Sequence, residues 1–273
     1  MTRIILSFII GIVISQNTFC QDSIDVSKYR PESFSIDFNG TIFLISENTL
    51  YKLDKSYNKE TEFSNKMYGK ISSVDVSNPF KLLLFYKETG MLVFLDNHLK
   101  EIQSPISLPK QGLVNTELAC SGSDNSFWIY YNDTHQIIKF DYKINAIAST
   151  PDLTILSNIE LPPKSISEKG DKLFLEIPNF GILIFYNSGN YLQTLHFPKI
   201  SSFSPISEKD FFYVDSINGP TVMDFTLNKI QNLSISNNYN TNNQMIYFNN
   251  SIYEKDKFQI RIHNLGTKKR EKE

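Results

Sequence analysis

The stretch Asp124-Asn125-Ser126-Phe127-Trp128-Ile129-Tyr130-Tyr131-Asn132-Asp133-Thr134-His135-Gln136-Ile137-Ile138-Lys139-Phe140-Asp141 reads as two strands joined by a polar turn. Phe127 to Tyr130 is an apolar, aromatic run of the strand-favouring kind. Asn132, Asp133 and Thr134 carry turn chemistry, because short polar side chains bond nearby backbone groups. A second run, Ile137 to Phe140, then closes on Asp141. A sustained pattern of apolar residues three and four apart, bounded by helix caps, is missing, which argues against a helical hairpin.

The same unit returns along the chain. Its first strand appears as Ile42 to Ile45, Leu82 to Phe85, Phe127 to Tyr130, Leu173 to Leu175, Phe211 to Val214, and Ile252-Tyr253. Its partner strand ends on a polar residue at positions 54, 96, 141, 186, 226 and 263, giving steps of 42, 45, 45, 40 and 37 residues. A final, weaker strand follows. A period near 40 to 45 without helical patterning predicts an all-β fold, a single β-propeller of about six four-stranded blades. Five or seven blades are the alternatives, with Thr150 to Pro163 as the connector where the count could change. Turn sequences such as Asp37-Phe38-Asn39-Gly40 and Asn249-Asn250 precede the first strand of each copy, which is read as the inner one. A ring must close, and Ser23 to Lys28 is expected to supply the outer strand of the last blade, removing two free sheet edges.

Before the repeats lies an address. Arg3 and the apolar run Ile4 to Ile14 read as a secretory signal over 1–21, too short for a comfortable membrane span. Thr18 and Cys20 are small residues suited to a peptidase site, with cleavage expected around Cys20 to Asp22. A lipoprotein acylated on Cys20 is the alternative. The propeller is expected over 22–265, followed by a charged, disordered tail over 266–273. The expected destination is the periplasm, the cell surface or the medium, with no transmembrane span in the mature chain.

Composition narrows the function classes. The 273 residues include 21 Phe, 14 Tyr and 1 Trp, enough for a large core, and only 11 Gly, which excludes a collagen-like chain. A formal net charge of −2 argues against nucleic-acid partners. After cleavage only Cys120 remains, so no internal disulfide is possible.

No motif for a nucleotide, a metal or a nucleophile is present. His98, His135, His196 and His263 fall in different repeats, so no metal site and no cofactor are expected. Asp54, Asp96 and Asp141 recur at one turn, where an Asp bonds nearby N–H groups, and they are read as structural. Tyr186, Thr226 and His263 stand in their place in later copies. Trp128, Tyr130, Tyr131, Tyr186 and Tyr213 are the candidate binding residues, since Tyr and Trp at strand ends can form an interaction platform.

The Asp124 to Asp141 stretch resembles one blade of the NHL-like and TolB-like six-bladed propellers of exported bacterial proteins, with its polar turn and its strand ending in Phe-Asp. The resemblance implies the fold and is spread over nearly all of the mature chain. The glycine pair of kelch repeats, the Trp-Asp repeat signature and the tryptophan-docking motif of quinoproteins are absent, which argues against a pyrroloquinoline quinone. Two Asp-Ser-Ile triplets, at 22–24 and 215–217, resemble O-glycosylation acceptors of Bacteroidetes-type bacteria.

These features point to an exported, non-enzymatic propeller that binds a protein or peptide in the cell envelope. A carbohydrate or small-ligand binder, or a weak hydrolase or lyase using the axial pocket, is the alternative. So is an envelope assembly factor acting by strand addition.

Overall fold

Alternate residues of each apolar run pack against different neighbours, and that alternation builds the ring. The computed structural model describes residues 22–157, 162–197, 199–235 and 239–265. The expected leader with Cys20, and the expected tail, lie outside the described residues. The chain forms six four-stranded antiparallel blades.

The first strand, β1 (Asp22–Asp25), belongs to the last blade. Blade 1 is β2 (Ser33–Ile36), β3 (Ile42–Ser46), β4 (Thr49–Leu53) and β5 (Lys59–Ser64). Blade 2 is β6 (Ser73–Asp75), β7 (Leu82–Tyr86), β8 (Met91–Leu95) and β9 (Ile106–Ser107). Blade 3 is β10 (Thr116–Ser121), β11 (Phe127–Tyr131), β12 (Gln136–Phe140) and β13 (Ala146–Ser149). A short helix, α1 (Leu153–Ser157), sits in the following connector. Blade 4 is β14 (Ser165–Lys169), β15 (Lys172–Ile177), β16 (Gly181–Tyr186) and β17 (Tyr191–His196). Blade 5 is β18 (Ile200–Pro205), β19 (Asp210–Asp215), β20 (Gly219–Asp224) and β21 (Lys229–Asn232). Blade 6 is β22 (Gln244–Phe248), β23 (Ser251–Lys255) and β24 (Gln259–Asn264), closed by β1, whose Asp22 pairs with Ile262 and Asp25 with Gln259.

Each junction between blades holds one apolar cluster. Phe43 and Ile45 face blade 2, whereas Ile42 and Leu44 face blade 6. In β11, Phe127 and Ile129 face blade 2 while Trp128 and Tyr130 face blade 4. In β19, Phe211 and Tyr213 face blade 4 while Phe212 and Val214 face blade 6. Strand side chains alternate between the two sheet surfaces, and here both surfaces are covered. A strand covered on both sides reads as an unbroken apolar run, which is why these segments stand out in the sequence.

One expectation is corrected. The apolar strand read as the inner one occupies the second position from the axis in every blade. The innermost strands are β2, β6, β10, β14, β18 and β22, and serine is prominent in them. Five of these six strands carry serine, whereas β22 is Gln244-Met245-Ile246-Tyr247-Phe248.

Hydrogen bonds between neighbouring blades show that all six innermost strands run in the same direction. The Gln244 side chain clamps the start of β2, accepting from Phe34 N at 3.0 Å and donating to Phe34 O at 2.9 Å. Asp75 Oδ2, at the end of β6, accepts from Ser121 N at the end of β10 (2.8 Å). Glu168 Oε1, near the end of β14, accepts from Ser123 N (2.7 Å). Lys164 Nζ donates to Ser201 O, near the start of β18 (3.1 Å), and Ser202 Oγ accepts from Met245 N (2.9 Å). The blade 1–2 junction is crossed by Ile71 N donating to Glu47 O (2.8 Å). The ring therefore has a front face, where innermost strands begin and blades are connected, and a back face, where they end. Both ends of the described chain, near Asp22 and Leu265, lie at the back.

Candidate functional site on the propeller axis

The innermost strands enclose an axial cavity of about 630 Å³, a size suited to a small ligand. Every blade contributes to its wall, and nine of its lining residues are serines. At the front end, the buried Glu176 carboxylate accepts from Lys164 Nζ and Ser165 Oγ, both at 2.8 Å. Towards the back, Asp75 Oδ1 accepts from Ser77 N at 2.8 Å, and Lys169 ends β14. The wall is drawn from all six blades and mixes serine hydroxyls and a few charged groups with a larger share of apolar surface. It lacks Trp and Tyr, and no histidine reaches it.

The five aromatic candidates do not form one platform. Trp128 has 0% exposure, and Tyr130 and Tyr213 are buried with it. These three belong to junctions between blades, a correction that follows from alternate strand residues being covered on both sides. Burial pushes the phenols of Tyr130 and Tyr213 up. Trp128 Nε1 donates to Glu168 Oε2 at 2.5 Å across the blade 3–4 junction. Lys139 Nζ lies 3.7 Å from the same oxygen, 3.1 Å from Asp124 Oδ2 and 5.3 Å from the Trp128 ring centre. This staple lies behind the cavity wall. Tyr131 is half-buried on the front face, its hydroxyl donating to Asp133 Oδ2 at 2.6 Å. Tyr186 is 39% exposed on the back face, with Lys172 Nζ 4.5 Å from its ring centre.

Asp54, Asp96 and Asp141 each follow the third strand of a blade. Their Oδ1 atoms accept from the N–H groups two and four residues on: Ser56 and Asn58, His98 and Lys100, Lys143 and Asn145, all at 2.8 to 2.9 Å. The Lys100 N–H holds the Asp96 carboxyl below its usual range, and the Asn145 side chain does the same for Asp141. In blade 5 the corner is Asp224, not Thr226, because the turn there is tighter and Asp224 Oδ1 accepts from both N and Oγ1 of Thr226. His263 is not in a turn at all. It is buried in β24, with Nε2 2.9 Å from Glu254 Oε2.

Sequence reading missed the buried network around Glu254 at the blade 5–6 junction. Its carboxylate also accepts from Asn240 N (2.9 Å), Asn243 Nδ2 (2.7 Å) and Arg261 Nη1 (3.5 Å). Burial pushes this carboxyl up, but the bonds from His263, Asn240 and Asn243 together hold it below its usual value. Burial also raises the Cys120 thiol well above its usual value, which disfavours the reactive thiolate. Among the described residues, no group of three or more His, Cys, Asp or Glu side chains could hold a metal ion.

No protein-family model matches the chain, and no curated protein matches it significantly. Solved structures do resemble it in fold. A streptogramin B lyase superposes with a TM-score of 0.61 at 14% identity, covering 90% of this chain and 97% of the lyase. BBS1N, in complex with ARL6DN, gives 0.57 at 11% identity, covering 87% and 78%. A protein of unknown function from Bacteroides caccae gives 0.54 at 13% identity, covering 78% and 82%. At these identities the likeness is one of fold.

Proposed function

We propose that this chain is an exported binding module of the bacterial cell envelope, engaging a protein or peptide partner through its front face. One observation carries the reading. Met67, Val114, Ile155, Ile217 and Phe258 are each more than half exposed, on five separate front-face loops. Phe38, Phe80, Tyr142 and Leu227 are as exposed at the back, so the choice between the faces rests on the chain ends. Solvated loops have no packing need for such side chains, and exposed apolar groups rimmed by polar residues suit a partner surface.

The chain ends support the choice of face. A single residue, Gln21, separates Cys20 from β1 at the back. A lipid on Cys20, the alternative to plain cleavage, would hold the back towards the membrane and leave the front free. The run Ile4 to Ile14 after Arg3 supports export itself. BBS1N, which shares the fold, is seen in complex with another protein.

The test is capture from envelope extract by the chain starting at residue 22, compared with its Met67→Ser, Ile155→Ser double variant. A partner held by the first and lost by the second is expected. Capture of nothing above control, or capture indifferent to both substitutions, refutes the front-face reading. N-terminal sequencing of the exported protein should begin between Cys20 and Asp22, and an intact Met1 would refute cleavage.

A further inference from the structure

The wall of the axial cavity offers more hydroxyl groups than the fold uses. Ser165 Oγ is bonded to Glu176, Ser202 Oγ serves Met245 N, and Ser201 Oγ donates to Val214 O. Ser73 Oγ is unpartnered but fully buried and is not offered to the cavity. The hydroxyls of Ser33, Ser35, Ser77, Ser167 and Ser204 have no partner within the chain among the described residues. They come from blades 1, 2, 4 and 5. The arrangement has a structural origin. In these blades the large residue of the innermost strand, Phe34, Val74, Ile166 or Phe203, packs back on the preceding blade. The serines on the other surface are left beside the cavity.

The charges of the wall are already engaged. Glu176 is paired with Lys164, and Glu32 with Lys70 at 2.8 Å. Glu168 accepts from Trp128 and Ser123, and Asp75 from two backbone N–H groups. Lys169 has no ion-pair partner among the described residues, but it ends its strand at the back, where water can solvate it. An anionic ligand entering from the front would meet Lys164 already paired with Glu176 and would reach Lys169 only at the far end. A hydroxyl group both donates and accepts, so serines match a ligand rich in hydroxyls. Val74 and Phe203, only partly buried against the preceding blades, leave some apolar surface on the wall for the C–H faces of such a ligand.

We propose that the axial cavity is a binding site for an uncharged, hydroxyl-rich small molecule of the mono- or disaccharide class. This site is separate from the front-face loops, and either can fail without the other. Saturation-transfer NMR on the chain starting at residue 22 tests it, with maltose, N,N′-diacetylchitobiose and gluconate as probes. Each is added at about 10 mM, tenfold above a millimolar Kd. Signal is expected from at least one of the two neutral sugars and not from gluconate. The Ser35→Ala, Ser167→Ala double variant should bind at least tenfold more weakly with an unchanged melting temperature. If that variant melts early, Ser35→Ala alone serves, with a smaller loss of the same sign. Silence from both neutral sugars overturns the proposal. So does a signal that survives removal of the hydroxyls, or gluconate binding as well as the neutral sugars.

Discussion

Replacing Glu254 by alanine asks whether polar contacts substitute for apolar packing at the junction with the fewest buried apolar residues among the described ones. The blade 5–6 cluster has only four buried apolar members, Phe212, Val214, Met245 and Ile252. Beside it, the Glu254 carboxylate serves His263, Asn240, Asn243 and Arg261, at 2.7 to 3.5 Å. Alanine would leave these donors without their acceptor in a site with 0% exposure of Glu254. Removing one partner of a buried charged network destabilises by about 3–5 kcal/mol. For a domain of this size each kcal/mol lowers Tm by roughly 2–4 °C, so a loss of roughly 6–20 °C is expected. Glu254→Gln keeps an acceptor for Asn240 and Asn243 and should lose about half as much. The assay is urea unfolding followed by circular dichroism, with melting as a check. Because the folded carboxyl titrates below its unfolded value, its contribution is present above the unfolded pKa, near 4.3, and is lost as pH falls through the folded one. The wild-type advantage over Glu254→Gln should therefore shrink in acid. A Glu254→Ala loss below about 1 kcal/mol would refute the reasoning.

Two further outcomes follow from the backbone and the ring closure. Gly181 has φ +139°, and a Cβ there would lie 2.0 Å from Leu195 O, which as backbone cannot move aside. Gly181→Ala should cost about 3 kcal/mol or more, and an unchanged urea midpoint would contradict this. Val26 is fully buried in the blade 6–1 cluster, and its N–H donates to Phe258 O at 2.9 Å. Val26→Asp buries an unpaired carboxylate there and should loosen β1, read as faster proteolysis near the N-terminus. Wild-type proteolysis rates would show that this contact does not hold the strand.

The repeat, the all-β class and the closing strand were legible because the second and third strands of each blade are covered on both surfaces. Ile42 to Ile45 and Leu82 to Phe85 announce themselves as apolar runs. The innermost strands did not. β6 is three residues long, and Ser165-Ile166-Ser167 has one apolar residue between two serines, so neither stands out as a strand-favouring run. The axial cavity is made of those strands, so its chemistry was hidden with them. Trp128 looked like a binding residue because an aromatic near a polar turn can be exposed. Its position in the alternation, opposite Phe127 and Ile129, sends it into the blade 3–4 junction. Glu254 meets His263 and Arg261 across a hairpin from two different strands, and Asn240 and Asn243 lie in the connector before β22, so spacing alone gave no signal.

The pairing of Asp22 with Ile262 places the last contact to form at nearly the greatest sequence separation available. Joining points about 240 residues apart costs about 5 kcal/mol of chain entropy, and this is recovered only once β24 exists. A chain crossing a membrane N-terminus first would expose β1 before its partner has arrived. Blades 1 to 5 can form in order, because each is made of contiguous chain. Blade 6 then waits with a bare edge on β24 until the oldest strand reaches the newest. That interval, rather than the finished ring, is when the protein is most open to a chaperone, a protease or a second copy of itself.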